Sequence, residues 1–306
     1  MKLLLSHIAD LDGITPVILL NLINEKFDYE LFEVNELSSY IEEKINSDYF
    51  DKYEAIYITD LGITKECADI IINSKYKDKF KLYDHHESHY YLNDYEFATV
   101  LEDNNNYKVC GTSLFYNYLV DTYNSDVLKK NSVVMFVELV RECDTWQFTD
   151  LKEEAFDLNN LFAFYGRDKF IEIYSNFLTD NNEFYFNNTE SVILESLNRQ
   201  KNDYIESFKD KVIIKEVNGY KIGFVFAELY RSELGNYLAE LYYDQVDFIG
   251  IINMNRHISF RGKKENIPTN KFAEIYGGGG HPLASAMSFP EDLKEKVLKY
   301  IYDEHR

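Results

Sequence analysis

The feature that most constrains this chain is a succession of short apolar runs in its first half, separated by helical patterns and each ending in ionisable residues. LLLSH (3–7), YELFEV (29–34), EAIYITDLG (54–62) and FKLYDHH (80–86) read as strands. Between them, DGITPVILLNLINEKF (12–27) and ITKECADIIINSK (63–75) read as helices, the second with Thr64 as its N-cap. Strands alternating with helices require a doubly wound parallel sheet. In open parallel sheets ligands bind at the carboxyl ends of the strands, so the placement of the ionisable residues carries more information than their types alone.

From about residue 110 to 208 the pattern is mainly helical, including SVVMFVELVRECDTW and ESVILESLNRQKNDYIESF. A new mixed segment begins near 211, where VIIKEVNGYKIGFVF predicts a hairpin around Asn218-Gly219. The organisation expected is therefore an N-terminal α/β domain over 1–150, a helical extension and linker over 151–210, and a smaller mixed α/β domain over 211–306. The last segment, EDLKEKVLKYIYDEHR, is predicted to form a helix packed on that smaller domain.

Charge narrows the partners. Acidic residues outnumber basic ones 53 to 32, for a formal net charge of −21. A protein that grips long duplex nucleic acid through counterion release presents a basic face, so such substrates are disfavoured. A small phosphorylated substrate is compatible, because bound divalent metals reverse the local field. The three cysteines, Cys67, Cys110 and Cys143, lie far apart without Cys-x-x-Cys spacing, which suits a reducing cytoplasm and argues against a disulfide framework or zinc knuckle. Neither a signal peptide nor a membrane span is expected.

The strand ends, taken together, present His7, Asp10 and Asp12, then Asp60, then Asp84 with His85 and His86, then Asp144. Singly, Asp10 and Asp12 could cap a helix, Asp60 could occupy a turn and Asp144 could pair with Arg141. As a set of oxygen and imidazole donors without thiolate, they suit manganese, magnesium or a similar divalent ion. One aspartate bridging two ions about 3.5 to 4 Å apart would make a two-metal hydrolytic centre.

These residues resemble the DHH family of phosphoesterases. SHIADLDG (6–13), ITDLG (58–62), YDHH (83–86) and CDTW (143–146) occur in family order, and SFRGK (259–263) with YGGGGHPLASA (276–286) resembles the associated DHHA1 substrate-binding domain. The resemblance implies a doubly wound DHH domain followed by a smaller mixed α/β DHHA1 domain. It also implies His7, Asp10, Asp12, Asp60, His85 and Asp144 as ligands of two divalent ions, manganese foremost with magnesium or cobalt possible, and Asp60 as the bridge. Asp84 would orient the histidines and His86 would face the scissile phosphate. The His7–Asp10 spacing is one residue longer than the SHxDLDG form. His89 has no family counterpart and is expected on a solvated loop.

In the second domain the glycine run Gly277, Gly278, Gly279 and Gly280 is expected to let backbone N–H groups approach a phosphate, helped by a following helix start and by His281. Arg261 is the cation expected at a terminal phosphate or base, and Arg231 either joins it or pairs with Glu233. Trp146 could stack on a base, but is expected in the core.

The resemblance thus implies a phosphodiesterase cleaving short RNA or linear dinucleotides to mononucleotides, cytoplasmic, and a monomer or homodimer with no membrane partner. Alternatives are a phosphatase acting on 3′-phosphoadenosine 5′-phosphate, a cyclic dinucleotide phosphodiesterase, and a nucleotide-binding module that has lost catalysis.

Overall fold

The computed structural model describes residues 1–23, 25–254, 257–289 and 292–303, in two compact units, Met1–Leu194 and Glu195–Arg306. Asn24, Glu291 and residues 304–306 of the predicted helices lie outside the described residues.

The first unit opens with β1 (Lys2–His7), α1 (Leu11–Leu22), β2 (Phe27–Phe32), α2 (Leu37–Ile45), β3 (Ala55–Thr59), α3 (Lys65–Ile72), β4 (Phe80–Asp84) and β5 (Ala98–Val100). The five strands form one parallel sheet in the order β2-β1-β3-β4-β5. Alternation along β1 sends Leu4 to one face and Leu3 and Leu5 to the other, and all three are fully buried because helices cover both faces. A small hairpin, β6 (Asp103–Asn104) and β7 (Tyr107–Lys108), then leads into the helices α4 (Gly111–Thr122), α5 (Asn131–Thr145), α6 (Lys152–Tyr165) and α7 (Arg167–Asp180), and α8 (Asn188–Glu206) begins in the first unit and ends in the second. The buried residues of α4 to α7 join those of α1 in one core cluster on the Leu4 face.

The strand order reverses direction at β1, whose neighbours β2 and β3 lie on opposite sides of it. The crevice at this switch point, outside the carboxyl ends of β1 and β3, is where the topology opens a ligand site. His7 ends β1 and Asp60 follows β3, so both stand at its mouth.

The second unit holds β8 (Ile213–Val217), β9 (Tyr220–Phe226), α9 (Arg231–Leu241), β10 (Phe248–Asn253), β11 (His257–Gly262), α10 (Thr269–Ile275), β12 (Gly279–His281), β13 (Ala284–Ser288) and α11 (Leu293–Tyr302). Its six-stranded mixed sheet runs β12-β13-β11-β10-β9-β8, with β9 and β10 parallel and the other neighbours antiparallel. The β8–β9 turn has Asn218 at φ 50° and Gly219 at φ 80°, as the Asn-Gly pair predicts. Gly219→Ala should cost about 1 kcal/mol, the penalty of a Cβ in left-handed backbone, read as a lower urea midpoint with activity intact.

The terminal helix forms, with none of its described residues fully buried. One expectation fails here. The last two glycines of the run open strand β12 and no helix follows them, which removes the expected helix dipole. Packing explains most of the run. Gly277 ends α10 at φ 75°, a Cβ on Gly278 would meet the Ala286 carbonyl oxygen at 2.2 Å, and one on Gly280 would meet that of Ala284 at 2.7 Å. No helix among the described residues is long and apolar enough to cross a membrane.

Candidate metal centre

The site in the first unit is assembled around the start of α1. Asp10 is its N-cap and accepts from the Gly13 N–H at 2.9 Å through Oδ1, while its Oδ2 stands 3.0 Å from His7 Nδ1. Asp12, 1 % exposed, receives the N–H groups of Gly111 and Thr112 at the start of α4, both at 2.7 Å. A helix N-terminus is a favourable place for a buried carboxylate. Pro16 contributes indirectly. Having no N–H, it cannot bond the Asp12 carbonyl four residues back, and the Thr112 hydroxyl donates there instead at 2.7 Å.

Asp60 occupies left-handed backbone at φ 54°, an uncommon state for a residue with a side chain and one that concentrates at functional sites. Gly111 makes room for it, since a Cβ there would fall 2.8 Å from the Asp60 nitrogen. From this position the two carboxylate oxygens diverge, Oδ2 to 3.3 Å from His7 Nδ1 and Oδ1 to 3.4 Å from His85 Nε2. His85 Nε2 also faces Asp144 Oδ2 at 3.4 Å and Asp12 Oδ2 at 3.8 Å. His7, Asp10 and Asp60 thus form one group of donor atoms, and Asp12, His85 and Asp144 a second, in each case all within 4.8 Å of one another.

Asp144 reaches the site from the last turn of α5, not from a strand end as expected. A carboxylate at a helix C-terminus meets the negative end of the dipole, so this location calls for a cation. Arg141 does not supply it. Its guanidinium is buried and bonded to both carboxylate oxygens of Glu138, at 2.9 and 2.7 Å.

The electrostatics carry the same demand. Burial and the adjacent Asp60 and Asp144 push Asp12 well above the usual carboxylate range. Burial, together with Asp60 and Asp10, pushes Asp144 up to about 6. Hydrogen bonding to Asp10 and Asp60 raises His7 to about 10, and Asp60, Asp12 and Asp144 raise His85 to about 9 against the opposing effect of burial. Two buried polar atoms, His85 Nε2 and Asp144 Oδ2, have no hydrogen-bond partner although they face each other and His85 Nε2 also faces the Asp60 carboxylate. Buried donors aimed at one point without bonding fit a cation between them. The donor set fits divalent metal ions, and these groups could hold them.

Asp84 lies beneath. Fully buried, it accepts from His86 Nδ1 at 2.7 Å and from His89 Nδ1 at 2.5 Å, one ring on each oxygen. Burial works against its charge, but the two imidazoles hold it below the usual carboxylate range. Both its oxygens are engaged by rings, and it also offers a donor atom in a group with Asp60, His85 and His86. His89 is therefore not the solvated loop residue expected: it stands on the 3₁₀ segment Glu87–Asp94 with its ring bonded to Asp84. Gly62 leaves the space, since a Cβ there would stand 2.4 Å from the His89 ring. That glycine, two residues after Asp60, is the one sequence signal that could have found it.

Trp146 is also misplaced by the sequence. It is 69 % exposed, in left-handed backbone at the end of α5, and not in the core.

In the second unit, Arg261 on β11 donates to Ser232 Oγ at 2.8 Å and to the Phe260 carbonyl at 2.9 Å, its stem passing over Gly235 of α9. Burial and the charge of Arg231 lower its pKa. Arg231 contacts the ring of His257. Arg261 and His281 both pair with Ala284, on β13 between them, which places the two on one face of the sheet.

No protein-family model matches the chain. Oligoribonuclease NrnB of Bacillus subtilis is 31 % identical over 300 residues, covering 95 % of this chain and 74 % of that protein. Among solved structures, the pGpG-specific phosphodiesterase PggH of Vibrio cholerae aligns over 98 % of this chain and 97 % of its own at 13 % identity and a TM-score of 0.53. A DHH-domain structure from a member of the S1p family of ribosomal proteins aligns over 99 % of this chain and 86 % of its own, at 15 % identity and a TM-score of 0.51. At these identities the two structures establish the fold, and the sequence relative establishes kinship. The chain belongs to the DHH/DHHA1 family of phosphoesterases, among which oligoribonuclease NrnB is a relative.

Proposed function

We propose that this phosphoesterase is a metal-dependent phosphodiesterase that hydrolyses short oligoribonucleotides and linear dinucleotides to mononucleotides. The observation that carries the reading is the divergence of the Asp60 oxygens toward two donor groups in a chain related to an oligoribonuclease. His7, Asp10 and Asp60 would hold one ion, and Asp12, His85, Asp144 and the other Asp60 oxygen a second. Manganese suits these oxygen and imidazole donors best, with magnesium or cobalt as substitutes. Ions so held supply the positive charge that acidifies an attacking water and offsets charge on the phosphoryl oxygens.

The chain's own residues supply the rest. Asp84, ionised, fixes the proton of His86 on Nδ1 and leaves Nε2 of a half-exposed ring available to a phosphoryl oxygen. His86 is raised in pKa chiefly by that contact with Asp84, which favours donation. Asp12 and Asp60 are held by helix N–H groups and by backbone geometry, so they do not reorganise when charge develops. In the second unit, Arg261, Arg231, His281 and the backbone of Gly277 to Gly280 would bind the terminal nucleotide, the guanidiniums matching a phosphate. The widely separated thiols support a cytoplasmic location.

The test is hydrolysis, with manganese, of labelled RNAs lengthening from the dinucleotide, with adenosine bisphosphate and a cyclic dinucleotide in parallel. The shortest RNAs should disappear fastest. Equal cleavage of long and short strands, or a preference for either control, would overturn the reading.

A further inference from the structure

We propose that an aromatic recess beside the carboxylates is a nucleobase subsite, in which Trp146 stacks on the base of the nucleotide whose phosphate is cleaved. The inference rests on the phosphodiesterase reading above and adds the part of the substrate that the first unit itself grips. One cavity of about 240 Å³ is lined by Asp10, Asp12 and Asp144 together with Trp146, Phe156 and Asn159. That volume lies below the ~300–1,000 Å³ of pockets for drug-sized ligands, and suits a single planar ring system attached to a phosphate.

The indole is placed for such a partner. Trp146 ends α5 two residues beyond Asp144, and its left-handed backbone, φ 54°, turns the chain out of the helix at that point. Phe148 and Phe156 brace it edge-on, with centroids 5.9 and 5.8 Å away at 75° and 68°. The bracing positions the ring without covering it, since the residue remains 69 % exposed. A large aromatic held rigid, exposed and next to a phosphate-binding centre is a stacking platform. Stacking accepts every base, as an enzyme clearing short RNA of any sequence requires. Asn159, one helical turn beyond Phe156, offers an amide to the base edge.

Trp146 is the only tryptophan in the chain, so its emission reports this site alone. Adenosine 5′-monophosphate titrated into the full-length protein should quench that emission saturably, with or without manganese, whereas ribose 5-phosphate should not. In steady-state hydrolysis of diadenylate, Trp146→Ala should raise KM roughly 5- to 150-fold with kcat little changed, and Trp146→Phe should recover most of the loss. No quenching by the nucleotide, or equal quenching by ribose 5-phosphate, overturns the subsite even if the enzyme hydrolyses RNA normally. Conversely, specific quenching in a protein that cleaves no oligonucleotide would retain the base subsite and reject the phosphodiesterase reading.

Discussion

Asp60→Asn is expected to reduce diribonucleotide hydrolysis by about a thousandfold, the several kcal/mol that charge stabilisation by metal ions contributes at about 1.4 kcal/mol per tenfold. Asparagine keeps the shape of the side chain and is among the residues best tolerated in left-handed backbone, so the turn at φ 54° should survive. What the change removes is the anionic oxygen offered to each of the two donor groups. Metal content measured on the purified protein should fall with activity. In chelator, the variant should melt below wild type, because the ionised Asp60 carboxylate is held below its usual range by His7 and His85 and the substitution removes those contacts. Wild-type metal content together with turnover within a few fold of wild type would remove Asp60 from the centre.

His89→Ala is expected to lower kcat by about 10- to 100-fold, the loss typical when a group supporting a metal-site residue is removed, while bound metal stays near the wild-type level. His89 contacts Asp84 and not the paired donor groups of His7, Asp10, Asp60, Asp12, His85 and Asp144, so its effect must pass through Asp84 to His86. It is a positioning residue. Losing it leaves one oxygen of a fully buried carboxylate without a partner, at a cost of about 1–3 kcal/mol in stability. His89→Asn, whose amide can donate from nearly the same place as Nδ1, should restore part of both. A fall in stability without a change in kcat would reduce His89 to a structural role.

Much of this was legible in the sequence because it is local. The alternation of apolar strands and helices up to FKLYD, the hairpin at Asn218-Gly219, and Thr64 as a cap all depend on residues a few positions apart, and all appear in the fold. The donor types were legible for the same reason, since His7, Asp10, Asp12, Asp60 and His85 sit at or just beyond strand ends wherever the register falls by a residue or two. The short strand β5 and the β6–β7 hairpin carry too few residues for a period and went unseen.

The residues that were misplaced all depend on what lies opposite them. Asp144 was assigned to a strand end, yet α5 delivers it, because packing of α5 on α1 rather than any pattern in ECDTW points that turn at the crevice. Trp146 was expected in the core on the strength of its size, but it follows the last turn of α5 in left-handed backbone and stays exposed. The four glycines looked like a flexible phosphate loop, whereas strand β13 approaches too closely to allow side chains on two of them. The sequence by itself determined a parallel α/β unit with a carboxylate–imidazole set at its strand ends, since period and composition are properties of neighbours along the chain. Only the tertiary structure decided that Asp60 looks two ways, that His89 props Asp84 and that an exposed tryptophan borders the site, since burial and distance are set by residues far apart in sequence.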